Sequence, residues 1–194
     1  MRVDLTSAVR FDLPRGAVHT TASGLEGVGE ERALLVPVNV LVLALADAPK
    51  STVDIVARTI GESIGRRAAG RFGGPSGVRE AGVDSVVTSL AAEVALAGLG
   101  VLALERWGRA LVLLLTATPR FAPEFFAPLL ESALGTATSW RNRASLVCTF
   151  LSDEDGARYL VSNANSAGQV RRAIESGVGW AEALRRMQRG GEPR

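Results

Sequence analysis

Two apolar segments joined by a tight turn constrain the fold of this chain more than any other feature of its sequence. Residues 101–107 are typical of one β-strand and residues 110–118 of the next, with Gly108-Arg109 as a two-residue turn between them. The stretch 111–115 is continuously apolar, which indicates a strand covered on both faces. We therefore expect an antiparallel sheet with Leu113 near the centre of the core.

A second hairpin is predicted later in the chain. Residues 145–151 and 157–162 read as strands, and the acidic segment between them, which ends in Asp155-Gly156, is typical of a turn. Two shorter strands, 8–13 and 17–20, are predicted near the N-terminus around a Pro-Gly turn. Apolar spacing and capping residues predict helices over 38–46, 51–72, 85–97, 129–139, 166–176 and 179–189.

These elements define the predicted fold class, which is α/β of the α+β type. An antiparallel sheet of about four strands packs against helices, with an N-terminal strand pair and two C-terminal helices. A length of 194 residues suggests one domain covering the whole chain, in which residues 163–194 form a helical appendage.

The predicted helix starts rest on local signals. Ser51 with Asp54 resembles a capping box, Asp84 is expected to cap the helix that follows it, and Pro128 fits the first turn of the next helix. The segment 73–82 is rich in glycine and is predicted to be a loop.

Two helical segments have unusual surfaces. Residues 38–46 are apolar on all sides except at Asn39, which implies burial, although the alternating valines leave a strand as an alternative. The helix after Ser51 carries Gly61, Gly65 and Gly70, which destabilise a helix and usually permit close packing.

The contents of Cys and His exclude several kinds of site. Cys148 is the one cysteine and His19 the one histidine, so we expect no disulfide, no zinc site and no haem. Neither residue belongs to a signature of nucleophilic catalysis, and we expect no cofactor. A single cysteine suits a reducing compartment, which favours the cytoplasm.

Nucleic acid and membrane are not expected partners. The chain has 22 basic and 20 acidic residues, its arginines are dispersed, and only 5% of its residues are aromatic. No apolar run reaches the ~20 residues of a membrane-spanning helix, and the N-terminus has no apolar core of signal-peptide length. The arginine-rich, alanine-rich composition is typical of a bacterial genome rich in G and C.

Two carboxylates interrupt apolar runs and are candidate acid–base groups. Glu93 and Glu105 must pair or change their pKa if they are buried. We favour structural ion pairs for both, with Arg109 as a candidate cross-strand partner of Glu105. Residues 153–155 are acidic but lack the spacing of a calcium loop, so they are interpreted as a turn.

The order of elements over residues 50–162 resembles that of a known superfamily. The segments GESIGRRAAGRF, AGLG, VLALERWGRALVLLL, LLESALGTATS and LVCTFLSDEDGARYLVS follow one another as in 4-vinyl reductase domains and the small TRAPP vesicle-tethering subunits. The resemblance implies a four-stranded antiparallel sheet against helices, in domains that bind apolar molecules or assemble with partners. The zinc-binding and acylated cysteines of some members have no counterpart here.

The functional prediction is a non-catalytic interaction or scaffold module of the TRAPP-subunit-like type. We expect a homodimer, formed through residues 38–46, the glycine-bearing helix and the small residues at 134–139. The alternative is a sensor of apolar small molecules or lipids, whose pocket is lined by Ile60, Ile64, Leu96 and Trp107. A hydrolase that uses a buried glutamate is the third possibility.

Overall fold

The computed structural model describes residues 19–21, 24–26, 32–33, 37–121, 123–138 and 146–189. Three short strands come first, β1 (His19–Thr21), β2 (Gly24–Glu26) and β3 (Arg32–Ala33), and they pair antiparallel in that order. The predicted strand 8–13 lies outside the described residues. The predicted strand 17–20 overlaps β1, and β1 pairs with β2, which follows it in the chain, while β3 lies on the other side of β2.

Seven helices and four further strands make up the rest of the described chain. The helices are α1 (Val38–Leu45), α2 (Lys50–Gly70), α3 (Pro75–Glu80), α4 (Val83–Leu96), α5 (Pro123–Ala137), α6 (Ala164–Glu175) and α7 (Trp180–Arg189). The strands are β4 (Val101–Trp107), β5 (Ala110–Thr116), β6 (Val147–Ser152) and β7 (Ala157–Ser162). None of these helices combines the length and the hydrophobicity that crossing a bilayer requires.

The four later strands form one antiparallel sheet in the order β4-β5-β7-β6. Both predicted hairpins are confirmed, and the pairing of β5 with β7 joins them. Leu113 stands opposite Leu104 on one side and Tyr159 on the other, and its side chain is fully buried. The predicted fold class is therefore correct, including the two C-terminal helices.

Side chains alternate between two cores because successive residues of a strand point to opposite faces. On one face, Leu113 and Leu115 of β5 and Tyr159 of β7 pack in a core formed with α2, α4 and α5. On the other, Val112 and Leu160 pack under α6 and α7. Both faces of β5 are covered, as its continuous apolar run predicts.

The closest contact between helices joins α2 to α5 and depends on two glycines. Gly61 and Gly65 are buried, and a Cβ atom at either position would overlap the carbonyl oxygen of Leu129 or Ala133 on α5. The glycines therefore allow the two backbones to approach, as the sequence suggests. Gly70, by contrast, has open space around it.

Several predicted helix boundaries are wrong. The loop predicted over 73–82 contains the short helix α3, and the helix predicted to open at Pro128 begins five residues earlier, at Pro123. Ser51 and Asp84 do not cap their helices, because Pro49 and Gly82 occupy the N-cap positions. Neither start has a side-chain cap, and at both the N-cap residue has an extended backbone, which proline imposes at Pro49.

The helix predicted over 38–46 is confirmed as α1, but its predicted burial is wrong. No residue of α1 falls in the buried class, although Val38 and Leu45 pack partly against the main core. Leu41 and Val42 are also half-buried, whereas Val40 and Leu43 are exposed.

Candidate functional site

An exposed apolar surface is the first candidate functional feature, and it lies on α1. Leu43 is 74% exposed and Val40 is 48% exposed, and a spacing of three residues places them on the same side of the helix. Ile55, in the first half of α2, is also exposed. We call Val40, Leu43 and Ile55 the α1–α2 surface.

A pocket of about 430 Å³ at one end of the four-stranded sheet is the second candidate feature. It forms where β5 ends and β7 begins, and since Leu115 pairs with Ala157, the segments that follow β5 and precede β7 meet there. Its lining comes from β5 and the turn after it, the connection to α5, α5 itself, and the β6–β7 hairpin: Leu115, Thr116, Ala117, Thr118, Phe121, Phe126, Asp153, Asp155, Gly156, Ala157 and Tyr159. We call this cavity the sheet-end pocket.

Aromatic rings form the inner wall of the sheet-end pocket. Phe126 and Tyr159 are fully buried, and Phe121 is half-buried. Phe121 stacks on Phe125 with ring centroids 4.1 Å apart and meets Phe126 edge-on at 5.9 Å. This mutual packing holds the rings in place and makes the inner wall rigid and apolar.

Carboxylates stand at the mouth of the same pocket. Asp153 and Asp155 belong to the hairpin turn between β6 and β7, and both are exposed. Burial raises the pKa of Tyr159 well above its usual range, and the negative charges of Glu124 and Asp153 raise it further. Tyr159 therefore keeps its proton at neutral pH.

Glu93, one of the two carboxylates considered from the sequence, is a buried member of an ion-pair cluster. Its side chain on α4 is only 2% exposed and accepts hydrogen bonds from Arg67 Nε at 2.7 Å and from an Arg71 NH2 group at 2.5 Å. Arg67 also donates to the Ser63 hydroxyl at 2.7 Å. The carboxylate is neutralised by two guanidinium groups, which suits a structural role better than proton transfer.

Glu105, the other carboxylate, pairs with an arginine that the sequence did not indicate. Arg158 of β7 donates to it at 3.1 Å, and the Trp107 indole donates at the same distance. Burial by itself would raise the pKa of Glu105, but these hydrogen bonds and the charge of Arg158 outweigh it and lower the pKa. The predicted partner, Arg109, is wrong, because Arg158 stands on the same face of the sheet as Glu105.

The four residues predicted to line a ligand pocket do not meet around one cavity. Ile60 and Ile64 belong to α2, where Ile64 is buried in the main core, and Leu96 is exposed near the end of α4. Trp107 lies on the opposite face of the sheet, where its ring meets Trp180 of α7 edge-on at 4.7 Å. None of the four lines the sheet-end pocket.

The remaining candidate groups do not form a reactive site in the described part of the chain. Cys148 is buried in β6, and burial raises the pKa of its thiol far above the usual range, so the reactive thiolate is suppressed. Among the described residues, no three His, Cys, Asp or Glu side chains are grouped so as to hold a metal ion. His19 is described only through the backbone of β1.

Sequence reasoning missed the sheet-end pocket because its parts lie far apart along the chain. The sequence predicts an ordinary turn at Asp153 and Asp155 and gives Phe121 no role. The missing information was the pairing of β5 with β7, which brings the turn beside the aromatic rings. No local motif marks that pairing.

No family model, curated protein or solved structure matches this chain.

Proposed function

We propose that this chain is a non-catalytic protein-interaction module that pairs with a second copy of itself through the α1–α2 surface. The observation that carries the proposal is an apolar helix, α1, none of whose residues is buried in the described fold. Val40 and Leu43 are exposed on the same side of α1, and exposed apolar surface of this kind on a folded domain marks a site of association.

The composition of α1 favours a second copy as the occupant. Its sequence, VNVLVLAL, contains no charged residue, and Asn39 is its one polar side chain. In a two-fold contact the same patch faces itself, so any charge would be brought close to its own copy. An uncharged apolar patch avoids that repulsion, and the contact removes only apolar surface from water.

The contact proposed here is narrower than the one the sequence suggests. Gly61 and Gly65 of α2 pack against Thr136 and other residues of α5 within one chain, so they are not available to a partner. A standard interface buries about 800 Å² on each side, which is more than a helix of two turns provides. We therefore place the contact on α1 and on the first half of α2, around Ile55.

The ionic clusters support a non-catalytic role. Glu93 is held by Arg67 and Arg71, and Glu105 by Arg158, so neither carboxylate is available as a general acid or base in its observed pairing. The order of α2, α4, the β4–β5 hairpin, α5 and the second hairpin supports assignment to the TRAPP-subunit-like type of module.

Sedimentation velocity at two concentrations tenfold apart tests the proposal. The wild-type chain is expected to sediment at twice the monomer mass of 20.3 kDa at micromolar concentration. Leu43→Glu places a charge on the exposed side of α1 and is expected to produce the monomer. Leu96→Glu is the matched control, because Leu96 is an exposed leucine on a different helix, and it should leave the dimer intact.

Circular dichroism must show native helix content in both variants, as expected for changes at exposed positions. A wild-type monomer at both concentrations would contradict the proposal. Dissociation of the dimer by Leu96→Glu but not by Leu43→Glu would contradict the location of the contact on α1.

A further inference from the structure

The sheet-end pocket combines a size and a chemistry that suit a small ligand. Its volume of about 430 Å³ lies in the range of ligand pockets in general. Its inner part is apolar and aromatic, through Phe121, Phe126 and Tyr159, while its mouth carries hydroxyl and carboxylate oxygens. Such a gradient selects a molecule that has an apolar body and one polar end.

The charges of the pocket determine which polar end fits. Asp153 and Asp155 both line it, and no Lys or Arg is among the described residues that do. Two cations lie outside the lining: Arg158 is neutralised by Glu105 and also donates to the main-chain carbonyl of Glu154 in the same turn, and Arg120 is exposed. The pocket mouth is therefore negative and would repel a carboxylate or phosphate ligand.

A metal ion fits this set of groups less well than an organic cation. Two carboxylates are fewer than the six to eight oxygen ligands that Ca²⁺ takes, and the inner wall offers aromatic rings rather than further oxygens. Aromatic faces attract ammonium groups, and carboxylates pair with them.

We propose that the sheet-end pocket binds a small organic cation, namely an ammonium group carried on an apolar body. The body packs against the half-buried ring of Phe121, which Phe126 supports from behind, and the ammonium group lies toward Asp153 and Asp155. The site lies at the end of the sheet and uses none of the α1–α2 surface residues, so it does not depend on the proposed dimer.

The backbone around the pocket agrees with a built site. Ala117 and Asp155 are the two residues other than glycine with positive φ in the described chain, at 51° and 55°, and both line the pocket. Asp tolerates this conformation, but for Ala it is unfavourable. Strained residues of this kind are found preferentially at ligand sites.

Three probes of nearly the same shape test the sign of the charge. They are 2-phenylethylamine, 2-phenylethanol and 3-phenylpropanoate, which are cationic, neutral and anionic at pH 7. Binding is measured by titration of ¹H–¹⁵N chemical shifts of the full chain. The amine is expected to shift Thr116, Ala117 and Gly156 and to bind about fivefold more tightly than the alcohol, since one exposed ion pair contributes roughly that factor. The propanoate is expected to bind most weakly.

Substitutions in the β6–β7 turn test whether Asp153 and Asp155 cause the preference for the amine. Asp153→Asn with Asp155→Asn keeps the shape of the turn, since Asn also tolerates positive φ, and is expected to bring the amine to the affinity of the alcohol. Glu154→Gln is the matched control, because Glu154 is exposed in the same turn but does not line the pocket, and it should change the affinity less than twofold.

Equal binding of the three probes, or an unchanged amine affinity in the double variant, would overturn the proposal. Absence of shifts at the pocket with all three probes at ~10 mM would also overturn it. Each of these results leaves the sedimentation of the chain unaffected, so the site and the dimer are tested separately.

Discussion

At the scale of single residues, two ion pairs on α4 differ mainly in their exposure to water. The carboxylate of Glu93 is almost fully buried and bound by two arginines. Asp84, in the first turn of α4, binds Arg106 at 2.9 Å, and 72% of its side chain is exposed. Water screens the second pair much more than the first, in which only the arginines are partly exposed, so the two should contribute different free energies.

We predict that Glu93→Gln destabilises the fold strongly and that Asp84→Asn hardly affects it. The first change removes a buried carboxylate and leaves two partly buried guanidinium groups without their counter-charge, which destabilises by about 2–4 kcal/mol, somewhat less than for a fully buried pair. The second removes an exposed pair that contributes less than about 1 kcal/mol. Urea denaturation followed by circular dichroism measures both free energies of unfolding.

A loss below about 1 kcal/mol in Glu93→Gln would show that the cluster is open to water in solution. A large loss in Asp84→Asn would show that exposure does not separate the two pairs.

The sequence indicates that both carboxylates must be paired, but it does not identify the residues with which they pair. An acidic residue inside an apolar run has to find a cation or a proton, and this holds for Glu93 and Glu105 alike. The partner depends on the arrangement of helices and strands, because Arg67 and Arg158 lie far away in the chain. The prediction that Arg109, which is close in sequence, pairs with Glu105 was wrong for that reason.

At the scale of elements, the contact of α2 with α5 depends on glycines at a spacing of four. Gly61 and Gly65 lie on the same side of α2, and the α5 backbone occupies the space that a side chain would need. Gly70 ends the same helix without any such neighbour. Alanine substitutions at the three positions therefore separate the effect of packing from the effect of helix propensity.

We predict opposite effects of alanine at these positions. Gly61→Ala and Gly65→Ala should each destabilise, by about 1–3 kcal/mol or more, because the new methyl group meets rigid backbone. Gly70→Ala should stabilise the chain by up to ~1 kcal/mol, because alanine has the higher helix propensity and finds open space. Thermal unfolding of the three variants gives the comparison, and destabilisation by Gly70→Ala alone would contradict it.

Hairpins were predicted more accurately than helix ends for a physical reason. A tight turn between apolar strands is a local signal, and both Gly108 and Gly156 adopt the positive φ that such turns need. Helix starts here depend on backbone torsions at Pro49 and Gly82, whereas the sequence offers Ser51 and Asp84 as more familiar caps. The exposure of α1 could not be predicted, since an apolar helix in isolation indicates burial.

At the scale of the whole molecule, few groups titrate at alkaline pH. The sequence contains one Cys and one Tyr, and in the unfolded chain the Cys148 thiol and the Tyr159 phenol lose their protons between about pH 8 and 11. Burial raises the pKa of Cys148 and, with nearby negative charge, that of Tyr159. The folded state therefore holds two protons that the unfolded state releases.

We predict that stability falls as pH rises above about 8.5. The unfolded thiol and phenol lose their protons near pH 8.5 and 10, while the folded groups stay protonated, so the free energy of unfolding decreases with pH. The stabilisation is fully present below pH 8 and is lost progressively above it. The Tm measured at pH 8 and pH 10.5 should differ, and Tyr159→Phe should reduce the difference. An unchanged Tm would contradict the burial of both groups.

The pairing of β5 with β7 has a consequence for how the chain reaches its native state. Each hairpin closes a short loop, but joining the two requires the segment that contains α5 and β6 to fold back on itself. Closure of a long segment is entropically slow compared with formation of a hairpin. We expect the two hairpins to form early and their union to accompany the docking of α5 on α2. The rate-limiting barrier would then lie at the centre of the sheet, and the sheet-end pocket would exist only after that barrier is crossed.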